Sequence, residues 1–177
     1  MTRAAVEHDG WPRMKGGRRG SEGLDEFVEG QDRRVRAVLE ALRARVQELD
    51  GVTEGIKYDG MAGEWTPAAY VGSRQIYHVH IKGGMHGVMT VTPDEAPAFL
   101  AVSLPEAIKP AIREGRARAR TWLSVPLRSA RDVAAFMKMV VIKHRLLREG
   151  AASRRRPQRA APRLDRALLA RSLRADG

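Results

Sequence analysis

The stretch YHVHIKGGMHGVMTV, residues 77–91, decides how this chain is to be read. It packs three of the five histidines into nine positions, which invites a metal or catalytic reading. The alternation supports a plainer reading. Tyr77, Val79 and Ile81 fall at every second position, with His78 and His80 between them, and side chains on a β-strand alternate between its two faces. Gly83-Gly84 follows, a pair that accepts positive φ at both positions and so suits a two-residue hairpin turn. HGVMTV then supplies the returning strand. With that turn, Ile81 faces His86 and His80 faces Gly87. His78 and His80 then share one face, and His86 joins Tyr77, Val79 and Ile81 on the other. Imidazoles divided in this way do not converge on one ion. A zinc or iron site built on His78 and His80 needs a third ligand from another element, and the sequence has no cysteine to provide one. The expectation is a hairpin with histidines on its polar face, with no metal ligand and no cofactor.

The same pattern extends on both sides. TEGIKYDG (53–60) and EWTPAAYV (64–71) precede the hairpin as short strands, separated by the turn dipeptides Asp59-Gly60 and Gly72-Ser73. Upstream, Val35, Val38, Leu39, Leu42, Val46 and Leu49 form one apolar stripe, which predicts a helix from Gln31 to Leu49 stopped at Asp50-Gly51. Downstream, Thr92-Pro93-Asp94-Glu95 reads as a capping box with proline at the first helical position. Ser103-Leu104-Pro105-Glu106 repeats that logic for a second short helix, to about Arg113. ARARTWLSVPL (117–127) alternates Arg118, Arg120 and Trp122 against Ala119, Thr121, Leu123 and Val125, a further strand. From Ser129 a long helix carries Val133, Phe136, Met137, Val140, Val141 and Leu147 on its apolar face. These segments predict an α+β domain over residues 31–150. Its antiparallel sheet of four to five strands packs with an N-terminal helix, one or two short helices and a long C-terminal helix. Residues 1–30, rich in glycine and without sustained periodicity, read as a mobile arm, and residues 151–177 as a basic tail that is in part helical.

The formal charge of +11 would point to nucleic acid if it were spread over the domain. It is not. Residues 21–150 carry 19 basic and 17 acidic residues, whereas 151–177 carry eight basic and two acidic. Arg154, Arg155, Arg156 and Arg159 begin that tail and are the candidates for sequence-independent phosphate contact. With 26 arginines against six lysines, the composition of a GC-rich genome accounts for them equally well. No apolar run reaches the length of a membrane helix and the N-terminus lacks a secretory apolar core, so a cytoplasmic protein is the plain reading.

No nucleophile elbow, phosphate-binding loop, dinucleotide fingerprint or HExxH motif is present, and no catalytic residue is nominated. Carboxylates such as Glu54, Asp59 and Glu64 lie near turns, where solvated turn residues are the ordinary occupants. The acidic run Glu22, Asp25, Glu26, Glu29 and Asp32 raises a frataxin-like iron carrier as one alternative. His144 reads as a cation at a helix end or a hydrogen-bonded core edge. A sheet covered by helices on one side leaves the other side to bind something. Trp65, Tyr70, Tyr77, His78, His80, Arg118 and Arg120 are the candidates to line it, with Arg116 beside them for an anionic ligand. The expected role is a small binding or interaction domain of unknown partner and oligomeric state.

GIKYDGMAGEWTPAAYVGSRQIYHVHIKGGMHGVMTV and SLPEAIKPAIREGRARARTWLSVPLRSARDVAAFMKMVVIKHR together resemble a bacterial domain-of-unknown-function family, number 3788 (DUF3788). The resemblance rests on Tyr58, Trp65, Leu104, Pro105, Glu114-Gly115-Arg116, Trp122, Asp132, Ile142 and Lys143, and covers roughly residues 33–147. That family is similar in layout to the broader YdhG-like and YjbR-like small α/β domains, some of them arranged like frataxin. The resemblance implies a fold and supplies no catalytic residues.

Overall fold

The computed structural model describes residues 18–19, 21–115 and 120–155, with side chains over 23–115 and 120–150. Eleven elements follow in order: β1 (Arg18–Arg19), α1 (Ser21–Glu29), α2 (Arg33–Val46), β2 (Val52–Asp59), β3 (Glu64–Val71), β4 (Arg74–His80), β5 (His86–Val91), α3 (Ala96–Leu100), α4 (Lys109–Glu114), β6 (Thr121–Pro126) and α5 (Ala130–Arg155). The strands form one antiparallel sheet in sequence order, five of them six to eight residues long and β1 a two-residue addition at the β2 edge. The fold is the expected α+β class. No helix among the described residues is long and apolar enough to cross a membrane.

Local chemistry sets these boundaries. Asp32 caps α2, its carboxylate accepting from the backbone N–H groups of Arg34 and Val35. Gly72 at φ +58° closes the tight turn between β3 and β4. Glu95 reaches back to the N–H of Thr92, but α3 begins only at Ala96 with Glu95 in the N-cap position, so Pro93 lies in the preceding turn and not at the expected first helical position. The same carboxylate grips the buried Lys143 ammonium of α5 at 2.6 and 2.7 Å, while Lys143 also donates to the Thr90 carbonyl. His144 contacts the Asp50 carbonyl at 2.8 Å, the hydrogen-bonded core edge expected of it.

The core lies between one sheet face and the helices. Ile56, Ala69, Tyr77, Val79, Met89, Val91, Leu123 and Val125 meet apolar residues of α1, α2 and α5. Phe136 of α5 stands edge-on to Tyr77 at 5.4 Å and sits directly over Gly87. A Cβ on Gly87 would lie 2.5 Å from the ring, so the sheet admits this helix only because that strand position is bare.

Three further expectations are corrected. The segment read as a mobile arm contains α1, and Leu24, Phe27 and Val28 bury themselves at helical spacing within the core, so the domain begins before residue 31. Nine residues carrying three buried apolar positions among carboxylates give too short a pattern to stand out. At the other end α5 continues through Arg155, five residues past the expected boundary. The third correction is the hairpin register. His80 pairs with His86 and Val79 with Gly87, one residue off the expected alignment. The connection is the five residues 81–85, with Gly83 and Gly84 both at positive φ inside it. His86 therefore belongs to the face of His78 and His80 and not to the core.

Candidate metal centre

The second sheet face is where the histidines meet other chemistry. Asp59 and Glu64 face each other at the end of β2 and β3, next to the Lys57–Thr66 pair. His78 lies beside Ala68 on the neighbouring strand, two residues before His80. This face is not the bare surface that the sequence suggested. Thr66, Ala68, Tyr70, His78 and Val88 are buried, while Trp122, Ser124 and Pro126 of the edge strand are exposed. The His78 side chain is 1% exposed, against 22% for His80 and 16% for Asp59, so the cluster is sealed at His78 and reached over the other two.

Three donor atoms converge here. His78 Nε2 and His80 Nε2 are 3.0 Å apart, and Asp59 Oδ2 lies 3.4 Å from the first and 3.7 Å from the second. This is the one such group of three metal-ligating side chains among the described residues. An ion about 2.1 Å from each donor would see them at angles of about 90°, 110° and 125°, the spread of a facial or distorted tetrahedral arrangement. Asp59, the last residue of β2, thus brings a third candidate donor beside the two imidazoles.

Each donor is held from behind. Asp59 Oδ1 accepts from the N–H groups of Met61 and Ala62, which leaves Oδ2 for the cluster. His80 Nδ1 meets Glu64 Oε1 at 2.6 Å, and the other Glu64 oxygen accepts from the Lys82 N–H. His78 Nδ1 meets the Gln75 side-chain amide at 2.7 Å. Gln75 reaches it through a β-bulge. Ala69 pairs with Tyr77 but Tyr70 pairs with Gln75, so Ile76 is an extra residue and Gln75 turns to the face of His78.

These contacts are met by one connected set of tautomers. Glu64 Oε1 accepts from His80 Nδ1–H, which leaves His80 Nε2 as the acceptor facing His78. His78 then donates its Nε2–H to that nitrogen and accepts at Nδ1 from the Gln75 N–H. Asp59 is set for ligation as it stands, whereas His78 carries its proton on the nitrogen that faces the cluster. Burial, with the nearby Lys57 charge, pushes the His78 pKa down to about 4, so the ring is neutral. Burial opposes ionisation of Asp59, but the N–H groups of Met61 and Ala62 and the Lys57 charge outweigh it and hold the carboxyl below its usual range. Metal ligation at His78 Nε2 requires the ring proton to shift to Nδ1, with the Gln75 amide turned over so that its oxygen accepts. Both are local rearrangements.

Of the residues expected to line a ligand site, only His78 and His80 come together. Tyr77 is core, and Trp65 lies on the core-side face against Tyr58 at 5.7 Å. Tyr70 is on the histidine face but buried. Trp122 adds an edge-on contact to His78 at 6.2 Å. His86 turns to the Gly84 carbonyl. Arg116, Arg118, Arg156 and Arg159 fall outside the described residues, as do the side chains of Arg154 and Arg155. Two members of the acidic run are engaged in the fold: Asp32 caps α2 and Asp25 pairs with Arg43 at 2.7 Å. Asp59, Glu64 and Gln75 were the missed members. Asp59 and Glu64 sit near turns as polar residues ordinarily do, and simple alternation assigns Gln75 to the face of Tyr77. Comparison with protein-family models, curated proteins and solved structures returns no match.

Proposed function

We propose that this is a small binding domain whose ligand is a divalent transition-metal ion, held by His78 Nε2, His80 Nε2 and Asp59 Oδ2. The observation that carries the reading is the donor triangle of 3.0, 3.4 and 3.7 Å, each corner backed by its own partner. Two imidazoles and one carboxylate are a donor set suited to iron(II), manganese(II), cobalt(II) or zinc(II), with the remaining coordination positions open. Glu64 and Gln75 occupy the place of the hydrogen-bonding partners that fix ring orientation at histidine metal sites. The element order also supports kinship with the DUF3788-like layout: leading helix, paired strands, the Leu104-Pro105 segment, the Trp122 strand and a closing helix.

The test is calorimetric titration of the EDTA-treated full chain with zinc(II) and cobalt(II), with bound metal counted by atomic absorption. One equivalent is expected. His80→Ala and Asp59→Ala should each abolish stoichiometric binding while the domain stays folded by circular dichroism. Wild-type affinity matched by the variants would refute the site.

A further inference from the structure

The metal reading leaves Lys57 without a role. It precedes Asp59 by two residues on β2 and therefore projects from the same face. It is half-buried, and its charge acts on both Asp59 and His78. Among the described residues no hydrogen bond or ion pair is formed by its ammonium within normal reach, whereas the other buried lysine, Lys143, is fully engaged. A cation beside a cation site works against metal binding unless something else bound there uses it.

Charge shows what that is. Two carboxylates, Asp59 and Glu64, stand against the one ammonium of Lys57, and this balance attracts a cation. A divalent ion reverses that balance and is then the largest local charge. Three protein donors leave at least one coordination position open. The approach passes over His80 and Asp59, because His78 is sealed, and this restricts the second ligand to a small one.

We infer that the metal-loaded site takes a small carboxylate anion, one oxygen on the ion and the other on the Lys57 ammonium. A carboxylate fits because it carries two acceptor oxygens on one carbon, and a charge-assisted contact to an ammonium is among the stronger hydrogen bonds. Binding is ordered: the ion first, because the metal-free cluster repels anions. This inference rests on the metal reading above.

The experiment uses the full chain loaded with cobalt(II), whose visible spectrum reports its ligands, titrated with glycolate. Metal content is measured before and after. Glycolate is expected to change the spectrum of the loaded protein and to give no binding heat with the metal-free protein. Lys57→Met should weaken glycolate roughly ten- to hundredfold, the loss of one hydrogen bond to a charged group. It should leave cobalt affinity equal or higher, since a repelling charge is gone. General damage to the fold would lower both, and Lys57→Gln provides the same comparison should the methionine variant fold poorly. Glycolate affinity unchanged in the variants, or no glycolate binding to a cobalt-loaded wild type, overturns the inference and leaves the metal site standing. Failure of cobalt to bind at all removes both.

Discussion

Burial of the His78 imidazole makes the stability of the metal-free domain depend on pH in a way that can be calculated. The ring titrates near 6.5 in an unfolded chain and at about 4 when folded, with burial the main cause and Lys57 the next. The folded state therefore favours the neutral form. The contribution is whole above pH 6.5, where neither state is protonated. It is lost as pH falls from 6.5 towards 4, because the unfolded chain takes up a proton that the folded one refuses. At pH 5 the loss is about 2 kcal/mol, rising to about 3 kcal/mol below pH 4. Urea unfolding of the EDTA-treated full chain at pH 8, 7, 6 and 5 measures it, with His78→Gln as the reference. The variant lacks the titrating ring but keeps the other histidines and the acidic groups, so their titration cancels in the difference. Wild type should exceed the variant at pH 8 by some margin, and that margin should shrink by about 2 kcal/mol at pH 5. A margin constant across this range would show that His78 is not held neutral, and the tautomer chain through His80 to Glu64 would fall with it.

Three further outcomes follow from other contacts. Gly87→Ala puts a methyl group 2.5 Å from Phe136, and the well-packed ring has no room to yield, so a loss of about 1–3 kcal/mol is expected by chemical denaturation. Adding Phe136→Leu should recover part of it, and additive losses would contradict the contact. Lys143→Met strands the Glu95 carboxylate that it grips at 2.6 Å, at a cost of about 3–5 kcal/mol, while Lys143→Met with Glu95→Gln should cost less than the single change. The alternative reading of the basic tail predicts affinity for duplex DNA that falls steeply with salt and disappears when residues 151–177 are removed, since roughly one counterion is released per phosphate contact. DNA binding that survives this deletion excludes the tail as its carrier.

Much of the scaffold was legible because it is specified locally. The turn dipeptides Asp59-Gly60 and Gly72-Ser73 bracket β2, β3 and β4, and the stripe Val38, Leu39, Leu42 and Val46 is buried as a helix should bury it. The Glu95 contact to the Thr92 N–H was legible from four letters, while the start of α3 at Ala96 was not. What local pattern does not specify was missed. Two glycines with positive φ suit a two-residue turn, but they also suit a longer loop, and the choice shifts every pair on β4 and β5 by one residue. Lys143 was visible as part of a helix, and its partner Glu95 as part of a cap. That they neutralise each other inside the protein depends on α5 crossing the end of β5.

The candidate site shows the same division more sharply. The objection to a metal at His78 and His80 was sound as chemistry: two neighbouring imidazoles are not a site without a third donor. The donor that the proposed site uses lies 19 residues upstream, an aspartate at the end of β2 whose local job is to accept two backbone N–H bonds. That local job is also what makes Asp59 useful at distance, since it fixes Oδ1 in the turn and leaves Oδ2 aimed at the rings. The bulge at Ile76 acts in a similar way on the other side, turning Gln75 out of the alternating pattern and onto the back of His78. A turn and a bulge are irregularities in a sheet, and both here bring a polar group to the same pair of histidines. Three polar residues with ordinary structural explanations thus acquire a joint one, which rests on the strand order that sets β2, β3 and β4 side by side.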